Sequence, residues 1–255
     1  MRVIPGIFLI MFIAAVSACT GGGTGRKQAV SEADTVTVPD TGYTGIKQYF
    51  SKQMLVKEVT FKNGVRHGEM KTYYTDGKLY QTFWYENGVR EDSARWYYPE
   101  GQVFRSTPFK NDTIHGIQKQ YYRTGQTRAK LEYIKGLRTP FFEEYTRDGK
   151  LIRGYPEIVA DIRDDYNTRG VVRINLSLSN QGTRVKFFVG EFYNGVFDTS
   201  KLTMLPVKDG KAYVDLRKTG TPQKNYIGII AQILTGLSNN YLAYKRLELP
   251  YNDLM

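Results

Sequence analysis

Residues 73–77 read Tyr73-Tyr74-Thr75-Asp76-Gly77, and the chain returns to this phrase three more times. Tyr97-Tyr98-Pro99-Glu100-Gly101, Tyr121-Tyr122-Arg123-Thr124-Gly125 and Tyr145-Thr146-Arg147-Asp148-Gly149 follow at a fixed step of 24 residues. A second column, Phe61, Tyr85, Phe109 and Tyr133, keeps the same step. Two residues beyond it stand Asn63-Gly64 and Asn87-Gly88, which decay to Asn111-Asp112 and Lys135-Gly136. Such self-similarity is the signature of a repeat architecture. Tyr49-Phe50 holds the same phase one unit earlier, with Gln53 in the glycine slot, so a degenerate first unit starts near residue 43.

Each unit reads as two strands and two turns. Asp76-Gly77 and Asp148-Gly149 fit two-residue hairpin loops, and Asn63-Gly64 and Asn87-Gly88 mark the other turn. Strands of about 6–8 residues fit between them. The expectation is an all-β fold, a β-hairpin repeat meander over residues 43–153 in which each unit adds two strands. Tyr73, Gly77, Tyr97, Gly101, Tyr121, Gly125, Tyr145 and Gly149 define the repeat. Adjacent residues on a strand face opposite ways, so both tyrosines of a pair cannot enter one core. Tyr74, Trp84, Trp96, Tyr98 and Tyr122 are then either packing ladders between strands or an aromatic binding strip.

The unit x-N-G-x-x-x-G-x-x-x-x-Y-Y-x-x-G resembles the MORN-type repeat, in the bacterial variant of proteins labelled YwqK-family antitoxins. A further turn glycine of that pattern is present as Gly68 and Gly116 and replaced by Asp92 and Pro140. The resemblance implies protein scaffolding or membrane-lipid association; the antitoxin label implies a cytoplasmic toxin inhibitor.

Beyond Gly154 the period stops. Val172, Ile174, Leu176 and Leu178 alternate with polar residues, as in a half-buried strand. Residues 185–193, 212–216, 226–234 and 241–249 read as further strands. Residues 154–255 are thus expected to form a small β-sandwich, immunoglobulin-like or transthyretin-like in broad shape. For the apolar run 226–234 a buried helix stays an alternative.

The amino terminus carries an address. Arg2, an apolar run from Ile7 to Ile13 and Val16-Ser17-Ala18-Cys19 fit a cleaved signal peptide over residues 1–18. The last four residues resemble the lipobox of bacterial lipoproteins, and Cys19 is the chain's one cysteine. A lipidated Cys19 with a polar, glycine-rich tether over residues 19–42 is expected. Thr20, rather than Asp, implies the outer membrane; the absence of a following acidic run, unlike many surface lipoproteins of the Bacteroidetes, favours the periplasmic face.

Chemistry is sparse. His67 and His115 lie 48 residues apart in one repeat slot, which spaces them about 19 Å apart on a meander, too far to share a metal. They read as turn residues. Asp164-Asp165 and Glu143-Glu144 are neighbours whose side chains diverge on a strand. No catalytic residue, metal site or cofactor is expected. Charge is more telling: residues 47–153 carry 20 Lys and Arg against 12 Asp and Glu, and residues 154–255 carry 13 against 10. The expected role is a non-catalytic scaffold or protein-recognition module at the outer membrane. The alternatives are binding of anionic envelope lipid or glycan (phospholipid, lipid A, peptidoglycan) and YwqK-type toxin neutralisation. Nucleic acid is not an expected partner for a chain with this address.

Overall fold

The computed structural model describes residues 42–255; the expected signal peptide, Cys19 and nearly all of the tether lie outside the described residues. The first sheet is an up-and-down meander. It runs through β1 (Gly45–Ser51), β2 (Met54–Lys62), β3 (Val65–Tyr73), β4 (Leu79–Glu86), β5 (Val89–Tyr97) and β6 (Val103–Lys110). It continues through the two-residue β7 (Thr113–Ile114), β8 (Gly116–Tyr121), β9 (Thr127–Ile134) and β10 (Leu137–Glu144). Every pairing is antiparallel, as expected for sequential hairpins. The all-β repeat meander anticipated from the 24-residue step is present.

The turns differ in detail from the sequence expectation. Asn63-Gly64 and Asn87-Gly88 take positive φ at both positions, the two-residue type I′ geometry that matches strand twist. The tyrosine-pair turns are one residue longer. Tyr74 N–H donates to Lys78 O at 2.7 Å and Gly77 N–H to Tyr74 O at 2.9 Å, enclosing Thr75-Asp76-Gly77. Gly77 supplies the left-handed third residue (φ 80°), and Gly101, Gly125 and Gly149 repeat it. The slot of Gly68, Asp92 and Gly116 is no turn at all. It lies within the strand course, where the ladder register skips between Val59 and Phe61 opposite β3 and between Thr82 and Trp84 opposite β5. Gly68 and Asp92 there have φ of 100° and 57°, the conformation of a β-bulge.

A short helix, α1 (Tyr166–Arg169), joins β11 (Ile158–Asp165) to β12 (Val171–Leu178). Then come β13 (Val185–Val189), β14 (Thr203–Met204), β15 (Ala212–Arg217), β16 (Tyr226–Leu234) and β17 (Asn240–Glu248). They form two sheets, β11-β12-β15 and β14-β13-β16-β17. Between them lies one core that includes Val172, Ile174, Leu176, Phe187, Ile229 and Ala231. β16 is a strand, not a helix, and its continuous apolar run follows from burial on both faces. Ile227, Ile229, Ala231 and Ile233 enter the core, while Ile230 packs with Phe188, Phe197 and Leu242 on the other side. β11 had no sequence signal because most of its residues stay partly or fully exposed. Residues 190–193, expected as strand, leave β13 as a loop.

Candidate binding surface

Register sorts the meander's side chains into two faces. One cross-strand row runs Tyr49–Lys57–Thr72–Gln81–Trp96–Arg105–Gln120–Ala129–Glu144. The adjacent row, on the opposite face, runs Gln48–Glu58–Lys71–Thr82–Arg95–Ser106–Lys119–Lys130–Glu143. The first face holds the column Phe61, Tyr85, Phe109 and Tyr133, with Val59 and Met70 buried beside it.

Cations on this face rest on rings. Arg105 lies 3.9 Å from the Trp96 centroid, Arg90 4.6 Å from Phe109, Arg66 5.5 Å from Tyr85 and Lys57 5.7 Å from Tyr49. Such contacts are worth about 0.5–2 kcal/mol and leave the positive charge uncancelled. Arg90 alone of these four also has an acid, Asp112, at 2.9 Å. Arg66, Arg105 and Lys57 make no ion pair among the described residues. On the opposite face Lys71 pairs with Glu69 at 3.0 Å and Lys130 with Glu143 at 2.9 Å, while Arg95 and Lys119 stand exposed.

Burial pulls the Arg105 and Arg138 guanidiniums below the ordinary arginine range. Arg105 Nε and Arg138 Nε and Nη2 are buried donors without an acceptor. A desolvated cation in that state gains from an anionic partner more than an exposed lysine does.

Of the two alternatives for these aromatics, a single binding strip does not fit, on two counts. Trp84 and Trp96 face opposite ways: Trp84 pairs with Glu69 and Glu91, Trp96 with Gln81 and Arg105. Tyr74, Tyr98 and Tyr122 are clasps between units. Each hydroxyl donates to the backbone carbonyl of the next unit's first tyrosine, Tyr97, Tyr121 and Tyr145, at 2.6, 3.0 and 2.6 Å. The first tyrosines lie at strand ends, partly buried, and the Tyr73 hydroxyl bonds Glu58. His67 and His115 also act between units. Nδ1 of each accepts from the backbone N–H of the next unit's turn, Asn87 at 3.5 Å and Lys135 at 3.4 Å. Glu91, one unit between them, does the same for Asn111 at 2.8 Å.

Sequence reasoning missed the end of the array. The carbonyls of Arg66, Arg90 and Ile114 accept from the turn amides of Gly88, Asp112 and Gly136. The next in that series, Arg138 O, accepts from Phe197 N at 2.7 Å. A loop of the carboxy-terminal unit thus docks where another repeat's turn would lie. At the other end of β10, the fully buried Glu144 accepts from Thr235 Oγ1 at 2.7 Å, Asn239 Nδ2 at 2.8 Å and the Tyr155 hydroxyl at 3.1 Å. The Tyr155 and Tyr241 rings stack at 4.5 Å beside Phe142. The only available hint was Asn194-Gly195-Val196, which repeats the Asn-Gly-Val of residues 63–65 and 87–89.

No group of three or more His, Cys, Asp or Glu stands together to hold a metal ion among the described residues. Among them, too, no helix is long and apolar enough to cross a membrane.

The MORN repeat variant family matches residues 66–87, 93–111 and 114–135. These segments are similar to MORN-type repeats, and they span well under half of the chain. No curated protein matches it.

Proposed function

We propose that the chain is a non-catalytic recognition module. It docks an acidic protein partner on the ring-lined face of its MORN-type array and is held at the outer membrane, facing the periplasm, by a lipidated Cys19. One observation supports this reading above the rest: Lys57 and Arg105 lie on aromatic rings with no ion pair among the described residues, and Arg66 lies on Tyr85 with only the more distant charge of Asp112 acting on it. A partner's carboxylate on the outer nitrogens of the Arg105 guanidinium would neutralise the charge in a setting screened less than open water. Repeat arrays supply the extended surface that such docking uses.

Capture from detergent-solubilised envelopes tests it. A stoichiometric protein partner is expected with the native chain and lost with Arg66→Gln/Arg105→Gln. A second reading, anionic envelope lipid or glycan, draws on the exposed Arg95 and Lys119 of the opposite face. Salt-sensitive binding to anionic liposomes or sacculi, unaffected by those two substitutions, would favour it instead.

A further inference from the structure

The loop after β13 leaves an open cavity of about 400 Å³ against the start of β16, within the size range of small-molecule sites. Its floor is bare backbone. Gly190 N–H donates to Gly228 O at 2.9 Å, and a Cβ on Gly228 would stand 2.5 Å from Gly190 O and 2.8 Å from Glu191 Cγ. Only glycine lets the loop lie so close. Two tyrosines form the walls. Tyr193 is 54% exposed, and Tyr226 carries the Arg246 guanidinium 3.7 Å from its ring centroid.

Two ammonium groups overhang these rings. Lys201 lies 5.9 Å from the Tyr193 centroid and Lys224 5.4 Å from that of Tyr226. Both are exposed and neither makes an ion pair among the described residues. Acceptor and amide groups complete the lining. Glu191 takes the Tyr244 hydroxyl on Oε1 at 2.9 Å, leaving Oε2 open, and Asn194 stands beside it.

We propose that this cavity binds an acidic saccharide of one or two rings. Its carboxylate meets Lys201 and Lys224, its hydroxyls meet Glu191 and Asn194, and its apolar ring face lies against the exposed Tyr193. A neutral sugar leaves the Lys224 ammonium uncompensated, whereas Lys201 already feels the charge of Asp198. An aromatic carboxylate offers Glu191 no donor. The rim belongs to the same loop whose Phe197 amide closes the repeat array on Arg138 O. The site lies in the carboxy-terminal unit and is independent of the proposed docking on the repeats.

Amide-resolved NMR titration of the full chain tests it. The probes are digalacturonic acid and N-acetylmuramic acid, with diacetylchitobiose and benzoate as comparators. The expected result is saturable shifts at Gly190, Asn194 and Gly228 with the acidic saccharides, weakened roughly tenfold by Lys201→Ala/Lys224→Ala. Tyr193→Ala weakens binding as well, and Arg105→Gln leaves it unchanged. The proposal is overturned if those amides do not move, if diacetylchitobiose or benzoate binds as tightly, or if the lysine substitutions change nothing while the fold is intact.

Discussion

The Tyr74 hydroxyl donates to the backbone carbonyl of Tyr97, 2.6 Å away and one repeat later. The bond recurs from Tyr98 to Tyr121 and from Tyr122 to Tyr145, then stops at Thr146, beyond which the 24-residue step ends. The paired tyrosine is therefore a fastening between units.

Tyr98→Phe keeps the ring against Phe104, 5.3 Å between centroids, and removes only the fastening. A loss of about 1 kcal/mol is expected in urea unfolding. Tyr121→Phe, whose hydroxyl bonds nothing among the described residues, should stay within about 0.5 kcal/mol of the native chain.

Glu144→Ala should cost about 3 kcal/mol, because the Thr235 and Asn239 donors lose their acceptor inside a buried junction. Hydrogen exchange should speed up in the turn between β16 and β17. Exchange unchanged there would mean that Glu144 does not hold the two units together.

Stability should fall at both ends of the pH range. Hydrogen bonds from Arg173 hold Asp215 below the usual carboxylate range, and the Tyr73 hydroxyl does so for Glu58. Groups with depressed folded values contribute above about pH 4 and lose that contribution as pH falls through the folded value. Burial, then the bond to Glu191, pushes Tyr244 up to about 12. Its contribution is present below about pH 10 and lost as pH rises towards that folded value. Chemical denaturation across pH should show a plateau between these limits. Asp215→Asn should flatten the acid limb, and Tyr244→Phe the alkaline one.

Arg105→Gln should weaken partner binding roughly tenfold, with a shallower salt dependence than the native chain. Trp84→Ala, on the other face, should leave binding unchanged. Equal losses from the two variants would place the docking surface elsewhere.

Much of the fold is local and was therefore legible. A type I′ turn requires positive φ at two positions, and Asn-Gly accepts it at low cost, so Asn63-Gly64 and Asn87-Gly88 announce themselves. Gly77 and its equivalents do likewise, although the sequence did not reveal that their loops hold three residues. The bulges at Gly68 and Asp92 resemble turns in sequence, because both ask for the same backbone angle.

The sequence by itself determined the rhythm: strand, turn, strand, turn, with aromatic and glycine columns in register, since those choices depend on neighbours a few residues away. Only the tertiary structure decided which tyrosines fasten units together, which cations lie on rings and where the array ends. A backbone carbonyl carries no residue identity, so nothing at Tyr97 or Arg138 marks it as the acceptor for Tyr74 or Phe197. The contact between Arg138 and Phe197 spans dozens of residues and exists only once both units have folded.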